Sequence, residues 1–183
     1  AIHELSALEL ARVLRDGDVS AAEVNQETQG RIVTVGTQVG AFAHTAEDLA
    51  ARQAAEADRT LVAWRADGSP GGPDAPPPFL GVPVPIKDLN QVAGIPFEAG
   101  SAVMRGTTAQ VDDGVVTLLR NAGTIMVGKT TTPEFGFPPY TEPATAPAAR
   151  TPWCLSRTAG GSSGGAGAAV AAGVVPVAHG SDG

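Results

Sequence analysis

The sequence predicts an α/β fold, in which helices alternate with strands and the strands form a largely parallel or mixed sheet flanked by helices. Three observations predict it. Amphipathic segments that begin at Ser and end near Gly have the spacing of helices. Short apolar segments rich in Val and Ile have the composition of buried strands. The two kinds of segment alternate along the chain, as they do where helices cover a sheet.

Capping signals predict the helices of the first third of the chain. "SALELARVLRDG" begins with a capping box, because Ser6 can accept a hydrogen bond from Glu9 N–H while the Glu9 side chain reaches back. Gly17 supplies its C-terminal stop. "SAAE", from Ser20 to Glu23, repeats the box for a second helix. The segment "VGAFAHT" then predicts a short strand, and residues 46–61, rich in Ala, Glu and Arg, predict a third helix.

Beyond this region, strands and helices alternate after an exposed connection. "DGSPGGPDAPPPF", residues 67–79, contains turn-forming residues and little to bury. "GVPVPIK", residues 81–87, predicts an edge strand, since an edge tolerates proline. "DDGVVTLLRNAG" predicts a helix that ends at Gly123, and "TIMVG" predicts a buried strand. "GAGAAVAAG" predicts a further helix and "VVPVAHG" a further strand.

Composition narrows the class of protein. The chain has 183 residues, of which 43% are hydrophobic and 17% charged, as in a single globular domain. A net charge of −7 argues against nucleic acid or an anionic membrane surface as the main partner. The single cysteine, Cys154, permits no internal disulfide and suits a reducing compartment. No apolar run approaches the roughly 20 residues that span a bilayer, so we expect a cytoplasmic protein.

The stretch "RTAGGSSGGAGAAVAAG", residues 157–173, admits four interpretations. A flexible linker is disfavoured because the stretch continues directly into an apolar helix. A phosphate-binding P-loop needs a lysine after the glycines, and none follows. A dinucleotide-binding turn needs a third glycine, which "GAGAAV" lacks. The fourth interpretation is catalytic, because glycines around Ser162 and Ser163 let the backbone approach a substrate closely.

A catalytic serine needs a base, and in this sequence the base could be a histidine or a lysine. In a nucleophile elbow, "GSSGG" would place Ser163 as the nucleophile with a histidine base. The three histidines of the chain do not follow the chain order of that triad. A lysine can also act as the base where burial keeps its amine neutral. Lys87, at the end of an apolar strand, suits that role, and a surface lysine paired with Asp88 is an equal alternative.

Three segments together carry a resemblance to a known family. "GVPVPIKD", "RNAGTIMVGKTTTPEFG" and "TPWCLSRTAGGSSGGAGAAVAAGVVPVAHGSDG" resemble, in order and spacing, the amidase signature family of serine amidohydrolases, from about Leu80 to Gly183. The resemblance implies a Ser–cis-Ser–Lys triad. Lys87 matches the lysine that acts as the ultimate base. Ser162 matches the bridging serine, which follows a cis peptide bond from Gly161, and Ser163 matches a supporting residue.

The resemblance also implies where the remaining parts of the site lie. In the family, the segment like "HGSDG" continues into a further Gly- and Ser-containing run, whose serine forms the acyl-enzyme. That serine would fall just beyond Gly183, and the oxyanion hole would form around Asp182 and Gly183. Ser181 matches a structural position and is not expected to be the nucleophile. We therefore expect an N-terminal portion of a longer amidase, inactive and poorly folded by itself.

The domain organisation and function implied by the resemblance are as follows. Residues 1–66 form a helical N-terminal region, residues 67–79 a loop, and residues 80–183 the signature core of a single amidase domain. The implied reaction is hydrolysis of a linear or cyclic carboxylic amide, without a cofactor or a metal. The implied partners are the small-molecule amide and the remaining C-terminal part of the amidase, and a homodimer is also allowed. Alternatives are the A subunit of a glutamine-dependent tRNA amidotransferase and a non-catalytic interaction module.

Overall fold

The computed structural model describes residues 1–69 and 71–181 as an α/β structure, as predicted. Its longer helices are α1 (Ala7–Asp16), α2 (Ala21–Arg31), α3 (Glu47–Ala66), α4 (Gly114–Asn121) and α5 (Gly164–Ala171). Its strands are β1 (Phe42–Thr45), β2 (Pro83–Lys87), β3 (Ile125–Thr130), β4 (Arg150–Thr151) and β5 (Cys154–Thr158). A π-helical turn, Ile32–Gly36, follows α2, and short 3₁₀ turns lie at Ile2–Glu4, Gly72–Asp74, Ala102–Met104 and Glu134–Gly136.

The predicted helix starts are confirmed by their hydrogen bonds. Ser6 Oγ accepts from Glu9 N at 3.3 Å, and a Glu9 carboxylate oxygen accepts from Ser6 N at 2.8 Å. Ser20 and Glu23 form the same capping box at the start of α2. Helix α1 ends at Gly17, whose φ of 83° lies in the left-handed region that glycine adopts without steric cost. No helix among the described residues is long and apolar enough to cross a membrane.

The three-stranded sheet has the order β1-β3-β2 and is mixed. Strand β2 runs parallel to β3, whereas β1 runs antiparallel to it. Every residue of β2 and β3 is buried, as the apolar composition of both strands predicts. Strand β2 is at an edge of this sheet. Its prolines lack N–H groups only on the side away from β3, so the hydrogen bonds to β3 can all form.

The predicted strand "VVPVAHG" is wrong, because residues 174–180 contain no regular strand. This segment does run beside the free edge of β2, and His179 N donates to the carbonyl oxygen of Pro85 at 3.0 Å. A continuous ladder cannot form there, because Pro83 and Pro85 have no N–H to donate. Strands β4 and β5 form an antiparallel hairpin that the sequence patterns do not predict.

Each face of the sheet has its own hydrophobic core, and one of them positions α5. The core on the first face includes Val82, Ile125 and Val127 with buried residues of α1, α2, α3 and α5. The core on the second face includes Val84, Ile86 and Met126 with Val116 of α4. Packing on the first face places the N-terminus of α5 near the carboxyl ends of β2 and β3, where Lys87 ends β2.

Candidate active site

Lys87 is a fully buried lysine at the end of β2, with 0% of its surface exposed. Its Nζ lies 2.7 Å from Ser162 Oγ and 2.8 Å from Ser181 Oγ. Among residues 1–69 and 71–181, no carboxylate forms an ion pair with this amine. The lysine amine therefore faces two serine hydroxyl groups and no counterion within the described part of the chain.

Asp88 does not pair with Lys87, so the alternative of an exposed Lys87–Asp88 pair is wrong. Asp88 is 1% exposed, and its Oδ1 lies 2.5 Å from Lys129 Nζ. Successive side chains of a strand point to opposite faces of the sheet. Lys129 pairs with Ile86, the strand residue before Lys87, so the Asp88–Lys129 pair lies on the face opposite the Lys87 side chain.

The surroundings of Lys87 favour its neutral form. Burial lowers the pKa of Lys87 from its usual value, because poorly solvated surroundings disfavour the ammonium. Burial also lowers the pKa of His179, and any positive charge on the nearby Lys87 lowers it further. His179 Nδ1 accepts a hydrogen bond from the backbone N–H of Lys87 at 3.3 Å. A neutral amine can accept a proton, whereas an ammonium cannot.

Backbone packing positions Ser162. The peptide bond between Gly161 and Ser162 is cis. The carbonyl oxygen of Ser162 accepts a hydrogen bond from Thr132 Oγ1 at 3.2 Å, which ties it to the segment after β3. A Cβ atom at Gly161 would lie 2.8 Å from Tyr140 N and 2.9 Å from Pro139 C. A side chain at position 161 would therefore displace the backbone that supports Ser162.

Ser163 lies at the N-cap of α5 and connects the glycine-rich stretch to Ser181. Its Oγ donates to the carbonyl oxygen of Ser181 at 3.0 Å and accepts from Ser181 N at 3.1 Å. These bonds hold Ser181 beside the lysine amine. Asp182 and Gly183, for which the resemblance implies an oxyanion hole, lie outside the described residues.

The glycines of α5 allow the helix to approach the sheet closely. A Cβ atom at Gly165 would lie 2.6 Å from the carbonyl oxygens of Ala41 and Thr131. Gly165 N itself donates to the Thr131 carbonyl oxygen at 3.1 Å. This contact is possible only for a residue without a side chain, and it fixes the helix start that carries Ser163.

The other two histidines lie in different surroundings from His179. His3 Nδ1 is 2.6 Å from Glu27 Oε1 on α2, and His44 Nε2 is 3.6 Å from Glu98 Oε2. Within the described part of the chain, no histidine bonds to Ser163, so a histidine-based elbow finds no support in the geometry. The same residues contain no group of three His, Cys, Asp or Glu side chains that would hold a metal.

A family comparison covers the segment that contains the buried lysine and the serine pair. The model of the amidase family matches residues 23–183. The chain belongs to the amidase signature family. A putative amidase of Synechocystis sp. is 45% identical over 98% of this chain. The A subunit of the glutamyl-tRNA(Gln) amidotransferase of Salinispora arenicola is 43% identical over 97% of it.

The amidase signature fold is shown by solved structures as well. The structure of 6-aminohexanoate cyclic dimer hydrolase covers 98% of this chain with a TM-score of 0.82 and 33% sequence identity. This chain in turn covers 34% of that structure and 34% of the Synechocystis and Salinispora relatives. It thus spans about a third of the length of the amidase signature proteins that it matches.

Two residues of this site were not singled out as functional from the sequence. The resemblance gives Ser181 a structural position, and in the structure its hydroxyl contacts Lys87. For His179, one of the three histidines, the sequence offers only the role of base in a serine elbow, whereas in the structure its Nδ1 accepts a hydrogen bond from Lys87 N–H. The sequence contains one signal for both residues. Two prolines alternate in "PVPIK" and cannot donate hydrogen bonds, so this strand edge stays unpaired and a later segment of the chain can pack beside it.

Proposed function

We propose that this chain supplies the base and the bridging serine of a Ser–cis-Ser–Lys amidase. The observation that carries the proposal is the 2.7 Å contact between Lys87 Nζ and Ser162 Oγ, with burial that favours a neutral amine. Neutral Lys87 accepts the proton of Ser162, which accepts the proton of the nucleophile as it attacks the amide carbon. The leaving amine of the substrate takes a proton back from the relay and departs. Water, deprotonated by the same relay, then hydrolyses the acyl-enzyme.

The nucleophile in this proposal is a serine just beyond Gly183. Ser163 and Gly161 support the triad, because one holds Ser181 in place and the other admits the close backbone packing around Ser162. Backbone N–H groups around Asp182 and Gly183 stabilise the charge that develops on the carbonyl oxygen. The relay needs no cofactor or metal, since the lysine provides the base.

Covalent labelling of the intact enzyme tests this proposal. A fluorophosphonate that reacts with activated serines is added, and the modified peptide is located by mass spectrometry. We expect one labelled serine, after Gly183, and loss of the label in Lys87→Ala, because the lysine drives deprotonation of the nucleophile. Labelling of Ser163 or Ser181, or undiminished labelling in Lys87→Ala, would contradict the relay.

A second candidate function has support from the comparisons. The amidotransferase A subunit of Salinispora arenicola matches nearly the whole chain at 43% identity. The same triad would then hydrolyse glutamine and deliver ammonia to a partner subunit. Hydrolysis of simple amides by the isolated enzyme favours the amidase, whereas glutamine hydrolysis that requires an added tRNA and a second subunit favours the amidotransferase. Absence of both activities would favour a non-catalytic module.

The organisation that we propose for the enzyme follows from the same family assignment. Residues 1–66, 67–79 and 80–183 belong to one domain, which the C-terminal part of the amidase completes. The substrate is a small linear or cyclic amide, and a homodimer is compatible with this arrangement. The single cysteine supports a reducing compartment, and we propose the cytoplasm.

A further inference from the structure

A buried ion pair lies on the face of the sheet opposite the candidate active site. Asp88 and Lys129 are each 1% exposed, and their charged atoms are 2.5 Å apart. Lys129 Nζ also lies 5.3 Å from the centre of the Phe97 ring, a favourable cation–π position. A buried ion pair is costly to form and is poor evidence for stability by itself. Asp88, one member of the pair, directly follows Lys87 in sequence, which suggests a role of the pair in the function of Lys87.

A β-bulge determines which face each of the two buried lysines occupies. Val84 of β2 pairs with Met126, but Ile86 pairs with Lys129, so β3 spans three residues where β2 spans two. The extra residue brings Thr130, and not Lys129, opposite Lys87. Without the bulge, the two lysines would lie side by side on one face. The bulge therefore directs Lys129 to Asp88 and leaves Lys87 to the serines.

The Asp88 carboxylate also accepts hydrogen bonds from the loop between β2 and α4, which contacts the segment after β3. Its Oδ2 accepts from Ala99 N at 3.0 Å and from Glu98 N at 3.2 Å. The carbonyl oxygen of Ala99 in turn accepts from Phe135 N at 2.8 Å. The next residue, Gly136, is so close to the site that a Cβ there would lie 3.8 Å from Ser162 Oγ. The ion pair and the serine hydroxyl are thus linked through one chain of packed backbone.

We propose that Lys129 is a positioning residue for the Lys87 base: it pairs with Asp88 on the far face, so that the neighbouring carboxylate is held away from Lys87 and its charge is neutralised. An unpaired Asp88 carboxylate would attract a proton to Lys87 and hold it as an ammonium that cannot act as a base. This inference rests on the proposed role of Lys87 in amide hydrolysis.

Other ionisable groups surround these two lysines. His179 faces Lys87 from the segment after α5, and the lowered pKa of its ring favours a neutral imidazole. His44 of β1 faces Glu98, with 3.6 Å between Nε2 and Oε2. Asp113, at the start of α4, acts on Lys129 through its charge. These groups are unchanged in the variants below, so the charge of the Asp88–Lys129 pair is the quantity that changes.

The test is the pH dependence of kcat/KM for amide hydrolysis by the intact enzyme, three variants of the ion pair and one control variant. Lys129→Met leaves the Asp88 charge uncompensated, so the rise in activity with pH should shift upward by about one unit. Asp88→Asn removes the carboxylate, so the same rise should not shift upward: Lys129 without its counterion is either an ammonium that disfavours a charge on Lys87 or, since burial lowers its pKa, a neutral amine. The double variant Asp88→Asn/Lys129→Met should return it to the wild-type position. Arg12→Met, which removes an exposed ion pair with Asp16 on α1, is the matched control and should cause no shift.

The outcomes separate the positioning role from a structural one and from failure of the proposed function. Lower melting temperatures with an unchanged pH profile in both single variants would show a purely structural pair and overturn the proposal. Shifts of both variants in the same direction would also overturn it. If Lys129→Met does not fold, an upward shift in the polar Lys129→Gln decides the question, because it also leaves the Asp88 charge uncompensated. A wild-type profile that Lys87→Ala leaves intact would instead overturn the proposed function.

Discussion

Ser163 and Ser181 bind each other through two hydrogen bonds, although they are 18 residues apart in the chain. Ser163 Oγ donates to the Ser181 carbonyl oxygen and accepts from its N–H. The start of α5 is thereby joined to the segment that carries Ser181 past Lys87. The chain that follows Ser181 must begin from this fixed point.

The first prediction concerns this junction. Ser163→Ala removes both bonds, so the segment at Ser181 loses its anchor, and kcat for a simple amide should fall by up to about 100-fold, as small displacements of catalytic groups do. The melting temperature should change little. Ser156→Ala, at an exposed position of β5, is the control and should retain wild-type kcat. Equal kcat in the two variants would show that the junction has no positioning role.

The second prediction concerns the contact between Ser181 and Lys87. In Ser181→Ala the amine loses one of its two serine neighbours, 2.8 Å away, so proton transfer should slow and kcat should fall by about tenfold to 100-fold. The acyl-enzyme should still form, because Ser181 is not the nucleophile in our proposal. Mass spectrometry after rapid quenching measures the acyl adduct. Complete loss of the adduct in a folded variant would identify Ser181 as the nucleophile instead.

The third prediction concerns stability and pH. Burial lowers the pKa of Lys87 below 10.5, so between the native pKa and 10.5 the unfolded chain binds a proton that the native chain does not. The native state is therefore penalised at lower pH, and the penalty disappears as pH rises towards 10.5. Lys87→Met should have a higher free energy of unfolding than wild type at pH 7, by about 1 kcal/mol or more. Urea titrations at pH 7 and pH 10 measure the difference in free energy of unfolding between Lys87→Met and wild type. A difference that is larger at pH 10 than at pH 7 would refute the burial argument.

The fourth prediction compares two glycines of α5. Gly165→Ala places a methyl group 2.6 Å from two backbone oxygens, so it should lower the free energy of unfolding by about 1–3 kcal/mol. Among the described residues, no atom apart from the chain neighbours and the backbone of α5 itself lies within 4 Å of a Cβ added at Gly167. Gly167 is within the helix, so Gly167→Ala should raise stability by about 0.5–1 kcal/mol. Denaturant unfolding of both variants provides the comparison. Similar effects of the two substitutions would show that α5 does not pack as closely as described.

Local signals were sufficient for most of the fold. Capping at Ser6 and Ser20 depends on residues three positions apart, and the buried strand "TIMVG" is apolar throughout, so these elements could be predicted from short windows. The failure at residues 174–180 has a non-local cause. Their composition suits a strand, but the neighbouring edge of β2 has prolines where a ladder needs donors.

The candidate site was predictable only in part, for a similar reason. Lys87 and Ser162 could be named because their flanking motifs resemble a known family. The choice between a buried base and a pair with Asp88 could not be made locally, because it depends on Lys129, which is 41 residues from Asp88 in the chain. The bulge that brings Lys129 to the correct face depends on register, which no single segment specifies.

The central claim is that Lys87 is the base of the relay, and kcat/KM of Lys87→Ala for a simple amide tests it most directly. Measured in the intact enzyme across pH 6 to 10, with the native melting temperature as a check of folding, this value should be at least about 1000-fold below wild type. Among residues 1–69 and 71–181, Lys87 is the only basic side chain that bonds to Ser162 Oγ. Activity within tenfold of wild type, with an unchanged pH profile, would contradict the account.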